Sequence, residues 1–153
     1  ETVAAVLLGH GGEFAHGVTY SGHPASCAAG LATMDVLENT EILAQSQSVL
    51  APHFANALQN LMDLPIVGQV RATGLVAAVE LVRDKGSRER VAPDSAAAVY
   101  CRDRAIEHGL MVRQTGDAMI MSPPFVTTTH EADTLVSKLE TALDQTAKFY
   151  GLS

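Results

Sequence analysis

The sequence predicts an α+β protein, a small and mainly antiparallel sheet covered by helices, and three observations lead there. Apolar residues recur at helical spacing from Pro24 to about Asp63 and again from Thr129 to Phe149. Short β-type runs lie between them, Val67 to Val70, Leu75 to Val82, Met111 to Arg113 and Ala118 to Met121, bounded by glycine-containing turns. One helical stretch, Ser95 to His108, separates the two pairs of runs. The order helix, helix, strand, strand, helix, strand, strand, helix lays helices on one face of a small sheet.

Each element has its own reason. Thr2 to Leu8 is apolar enough for a helix turn or a buried strand, and Gly11-Gly12 interrupts it. Pro24 to Asn39 reads as a helix with a packing face of Ala25, Ala28, Ala29, Ala32, Val36 and Leu37, leaving Asp35 and Glu38 to solvent. A second helix is expected from Thr40 to Asp63, with Ile42, Leu43, Val49, Leu50, Phe54, Leu58, Leu61 and Met62 as its stripe and Pro52 as a kink or interruption. Gly74 marks a bend between the first two strands, and Asp84-Lys85-Gly86-Ser87 a turn after them. In Ser95 to His108, Ala98, Val99, Cys101, Ala105 and Ile106 face inward, and Gly109 stops the helix. The last two strands join through a Gln114-Thr115-Gly116-Asp117 turn. The final helix takes Thr128 or Thr129 as its cap and Leu135, Val136, Leu139 and Leu143 as its core face.

Composition narrows the function classes. A chain of 153 residues with 47% hydrophobic and 18% charged residues is an ordinary globular sequence able to bury a core. A net charge of −7, with no cluster of Lys and Arg among aromatics, argues against nucleic acid and anionic membrane, leaving small molecules or protein as expected partners. The run Val3 to Leu8 is too short to cross a bilayer. Cys27 and Cys101 are isolated, without a paired motif or secretory leader, so reduced thiols in a cytoplasm are expected. A start on Glu1 rather than methionine is expected of a chain cut from something longer.

The chemistry gathers at Gly17-Val18-Thr19-Tyr20-Ser21-Gly22-His23-Pro24, a loop that feeds a helix. Pro24 suits the first helical turn, Ser21 or His23 can cap it, and three hydroxyls stand beside the loop amides. Such a loop is either a plain capping structure or a site for an anion such as phosphate.

The run from Phe14 to Ala32, FAHGVTYSGHPASCAAGLA, resembles the late-sequence signature of the class III (omega) aminotransferases, pyridoxal-phosphate enzymes of fold type I, and the remaining residues resemble the same family's C-terminal part. The form Tyr20-Ser21-Gly22-His23-Pro24 leans towards the amine:pyruvate group. The resemblance implies the following organisation: residues 1–23 end the large cofactor-binding domain, residues 24–39 form a connecting helix, and residues 40–153 form the C-terminal small domain. It implies pyridoxal 5'-phosphate as cofactor, a homodimer sharing the site between subunits, and transfer of an amino group from an amine or ω-amino acid to a keto acid such as pyruvate.

Site residues carry over one by one. Thr19 and Val18 match the cofactor loop, Thr19 reaching the phosphate held by the neighbouring subunit, while Val18 stands where the family often has an aromatic residue. Arg113 matches the arginine that holds a substrate carboxylate; its planar fork suits that role, whereas read without the family it is a surface arginine paired with Asp117. Arg71 is expected in a structural or interdomain ion pair, and Ala72 replaces a common glycine. His10, His16, His23 and Glu13 have no compact metal-ligand spacing. Cys27 and Cys101 are expected to be buried, inert thiols. The family's Schiff-base lysine lies upstream of the signature, and Lys85, Lys138 and Lys148 do not suit that role, so no catalytic residue is assigned and this chain alone is expected to be inactive. The rival readings are a non-catalytic folded module contributing dimer contacts or regulation, and a class III decarboxylase or aminomutase.

Overall fold

A computed structural model describes residues 17–152, together with Ala5 and Gly9. The stretch from Thr2 to Leu8 and the glycines after it lie otherwise outside the described residues. The chain divides into two compact units, Glu1–Thr40 and Glu41–Ser153.

In the first unit, α1 spans Pro24–Asn39. Its start follows from local rules. The Ser21 amide donates to the Val18 carbonyl (2.9 Å) and the His23 amide to that of Tyr20 (3.1 Å), a turn in which Gly22 sits at φ +72. His23 is then extended, and its Nδ1 accepts from the Ser26 amide at 3.3 Å. The end is equally local: the Thr40 hydroxyl donates to the Val36 carbonyl at 2.7 Å while its own backbone turns extended. No residue of α1 is buried. Leu31, Met34 and Val36 are exposed, and so is Cys27, which corrects the expectation of a buried thiol there. The small alanines of this face present little apolar surface, and no described residue of the unit covers them.

The second unit begins with the predicted second helix, broken in an informative way. It comprises α2 (Ile42–Gln45), a π-helical turn (Ser46–Leu50), α3 (Ala51–Gln59) and a 3-10 turn (Asn60–Asp63). Thr40 closes α1 instead of opening this helix. Pro52 does interrupt the pattern: the π turn, in which the Ala51 amide reaches the Ser46 carbonyl, sets Pro52 in the first turn of α3, where no amide hydrogen is required. The extra residue in that turn rotates the stripe, so Ser46 and Leu50 are buried while Val49 is exposed.

The sheet contains β1 (Val67–Thr73), β2 (Val76–Leu81), β3 (Arg113–Thr115) and β4 (Ala118–Met121) in the order β1-β2-β4-β3, every neighbouring pair antiparallel. The predicted fold class is therefore observed. A bulge falls between Val67 and Gln69, and there a Cβ on Gly68 would lie 2.6 Å from the Val82 methyls. Ala77, Val79, Leu81, Met119 and Met121 are buried while Ala78, Glu80, Ala118 and Ile120 are half-buried, the two-residue alternation of a sheet covered more fully on one face. The second hairpin is tighter than predicted. Thr115 pairs with Ala118, so the loop is only Gly116-Asp117, with Gly116 at φ +56, and β3 starts at Arg113 rather than Met111.

A 3-10 turn (Pro93–Ser95) leads into α4 (Ala96–Glu107), whose inward face is Ala97, Ala98, Cys101 and Ala105. Ile106, predicted inward, is exposed because it follows Ala105 and lies about 100° further round the helix. Gly109 at φ +73 ends the helix. The last helix, α5 (Thr129–Phe149), opens with a capping box: the Glu131 amide donates to Thr128 Oγ1 (3.2 Å) and the Thr128 amide to Glu131 Oε2 (2.8 Å). Val136, Leu139 and Leu143 are buried as predicted, and Leu135 is half-buried. Phe54, Leu58, Leu61, Ile66, Met119 and Leu139 are among the largest side chains sealed in this core.

Candidate functional site

Two places hold the predicted site residues, one in each unit. In the first, the turn that caps α1 leaves Val18 and Tyr20 exposed, and among the described residues no side-chain hydrogen bond engages Thr19, Tyr20 or Ser21. His23, not Ser21, supplies the cap. The three hydroxyls are thus uncommitted beside a helix start, a donor set that fits a phosphate dianion without adding charge. His10, His16 and Glu13 lie outside the described residues. Among the described residues no three His, Cys, Asp or Glu side chains converge as metal ligands would.

In the second unit, Arg113 opens β3, one of the two edge strands, at the side of a groove of about 860 Å³ bordered also by Met111, Ile120, Met121, Val126 and Glu131. Arg113 is exposed and, among the described residues, makes no ion pair or side-chain hydrogen bond. The sequence alone offered Asp117 as its partner. Instead Asp117 Oδ2 accepts from Arg90 Nε at 2.5 Å, and Arg90 Nη2 donates to Ser95 Oγ at 3.1 Å. Nothing in the spacing of Arg90, Ser95 and Asp117 signals this cluster, because the loop after β2, the start of α4 and the hairpin tip meet only in three dimensions. The groove's acid, Glu131, is occupied by Thr128, whose amide and hydroxyl donate to it and hold its carboxyl below the usual range.

The remaining polar residues have structural work. Arg71 donates to Gln69 Oε1 (2.6 Å) and to Glu80 Oε2 (3.2 Å), bracing β1 against β2. Lys85 donates to the Met62 carbonyl at 2.5 Å, Lys138 to that of Gly109 at 3.4 Å, and Lys148 pairs with Asp144 at 2.6 Å. Cys101 is sealed beneath α5; burial pushes its thiol up to about 11, against a smaller opposing effect of the Thr146 hydrogen bond.

Known proteins resemble the chain over nearly all of its length. Residues 2–143 match the family described as aminotransferase class-III. The chain is 41% identical over 141 residues to putrescine–pyruvate aminotransferase of Pseudomonas aeruginosa, covering 92% of this chain and 31% of that protein. It is 37% identical over 135 residues to gamma aminobutyrate transaminase 3, chloroplastic, of Solanum lycopersicum, covering 88% of this chain and 26% of that one. Among solved structures it is similar to the omega transaminase of Pseudomonas jessenii in complex with PMP, with a TM-score of 0.84 at 32% identity over 98% of this chain and 33% of that one. It is also similar to a PMP-bound aminotransferase from Vibrio fluvialis, with a TM-score of 0.81 at 32% identity over 95% of this chain and 32% of that one. The chain thus spans about a third of the length of such relatives. Sequence motif, sheet order and these likenesses agree: the chain belongs to the class III aminotransferases, pyridoxal-phosphate enzymes of fold type I.

Proposed function

We propose that this chain is the C-terminal part of an enzyme that moves an amino group from an amine or ω-amino acid to a keto acid such as pyruvate. The observation that carries the reading is Arg113, an uncommitted guanidinium beside an open groove whose neighbouring acids are already engaged. Pyridoxal phosphate supplies the electron sink for such chemistry when bound. Residues 1–23 would close the cofactor domain, residues 24–39 connect, and residues 40–153 form the small domain. Thr19 would donate to the phosphate across a homodimer interface, with Val18 beside it, and Arg113 would take a substrate carboxylate by its fork and withdraw for amines that lack one. A cytoplasmic enzyme with small-molecule partners and no nucleic-acid or membrane role completes the reading.

A steady-state screen of the full-length protein against amines and keto acids tests it; no amino transfer from any donor would overturn it. The two residues separate in a crossed comparison. Thr19→Val removes a hydrogen bond to an anion, roughly 1.5–3 kcal/mol, so cofactor affinity should fall about tenfold to a hundredfold. Arg113→Ala should weaken carboxylate substrates while sparing cofactor retention and carboxylate-free amines.

A second reading, a non-catalytic module, is favoured by the lysines: Lys85, Lys138 and Lys148 are each bonded within the fold. The chain by itself should then be inactive. A visible absorbance band with pyridoxal phosphate that borohydride fixes to one of these lysines would contradict that.

A further inference from the structure

From Leu110 to Met121 the sequence holds two charged side chains, Arg113 and Asp117. Left to themselves, opposite charges on one short hairpin would tend to neutralise each other. The fold adds a third. Arg90, from the loop after β2, donates through Nε to Asp117 at 2.5 Å and through Nη2 to Ser95 at 3.1 Å. The Asp117 side chain is 19% exposed, so the pair is partly withdrawn from water. The receiving end is rigidly defined: Asp94 and Ser95 sit at φ 52 and φ 57, left-handed backbone that non-glycine residues hold only when the surroundings impose it, and Ser95 is buried. Glu131, the acid bordering the groove, points its carboxylate at the start of α5.

We propose that Arg90 is a specificity-determining residue: by holding Asp117 it keeps Arg113 open for a substrate carboxylate. The inference rests on the role proposed above for Arg113. A released Asp117 would act as a tethered carboxylate at high effective concentration, competing for the same guanidinium, and its charge would repel an incoming anion. Amines without a carboxylate do not need Arg113 and would not feel the change.

The test is kinetic, in the full-length enzyme, with one carboxylate-bearing donor and one simple amine. Arg90→Ala should raise KM for the carboxylate substrate about two- to fivefold, the scale of an exposed ion pair, with kcat and the amine's KM unchanged. Adding Asp117→Asn to that variant should restore the parent KM, because the competitor is gone. Asp117→Asn alone, with Arg90 intact, should leave carboxylate KM unchanged or lower it. This third variant decides the matter even if Arg90→Ala fails to fold, since a pair that merely braces the hairpin would give weaker carboxylate binding instead. Equal losses for both substrates, or no rescue in the double variant, would overturn the proposal. If Arg113→Ala leaves the ratio of carboxylate to amine KM unchanged, the role of Arg113 fails and takes this inference with it; if Arg113→Ala moves the ratio and Arg90→Ala does not, the role of Arg90 alone falls.

Discussion

Helix α1 and helix α5 obey the same local rules, yet one buries no residue and the other lays a continuous face into the core. Each opens on a side-chain cap, His23 for α1 and Thr128 for α5. In α5, Ala132, Val136, Leu139, Ala142, Leu143, Thr146 and Ala147 are buried, whereas in α1 even Leu31 and Met34 stand in solvent. Capping and propensity decide that a helix forms; what lies opposite decides whether its apolar residues contribute to stability. The second unit therefore holds the hydrophobic free energy, and the first is a helix shaped by its own backbone.

The largest effect that can break this comparison is a cavity. Phe54→Ala, at a side chain with 0% exposure, should cost about 3–5 kcal/mol in urea unfolding, while Leu31→Ala on α1 should stay within about 0.5 kcal/mol. Similar losses at both positions would show that α1 is covered after all.

The two cysteines give a smaller and pH-dependent contrast. Cys101 titrates near 9.0 when unfolded and at about 11 when folded, so the folded state binds its proton more tightly. That contribution is fully present below pH 9 and is lost as pH rises towards 11, on the order of 2–3 kcal/mol in all. Unfolding curves from pH 8 to 11 should show the decline, and Cys101→Ala should flatten it. Alkylation of the folded chain at pH 8 should modify exposed Cys27 first and leave Cys101 protected.

The smallest test sets cap against cap. Thr128→Ala removes one side of a reciprocal box and should cost about 1 kcal/mol, read by thermal unfolding. His23→Ala loses the Nδ1 contacts with the Ser26 amide (3.3 Å) and the Ser26 hydroxyl (3.2 Å) on a helix without buried side chains, and should leave the unfolding midpoint unchanged while lowering helicity.

Most of the architecture could be read from the chain itself because it follows from short-range chemistry. Pro24 after a glycine turn starts α1, Gly74 and Gly116 take the positive φ their hairpins need, and the Thr128–Glu131 box starts α5. The apolar period likewise marked Phe54, Leu58, Val136 and Leu139 as core, and the run from Phe14 to Ala32 pointed to the family. The tertiary structure alone decided the rest. The π turn before Pro52 left Val49 exposed and buried Ser46 beside the expected Leu50; Cys27 lies open because nothing described in its unit faces it; and Asp117 belongs to Arg90 rather than to Arg113. The physical reason is range: a cap or a turn is satisfied within about four residues, whereas the choice of an ion-pair partner 27 positions away depends on where loop, helix start and hairpin tip meet after the sheet has closed.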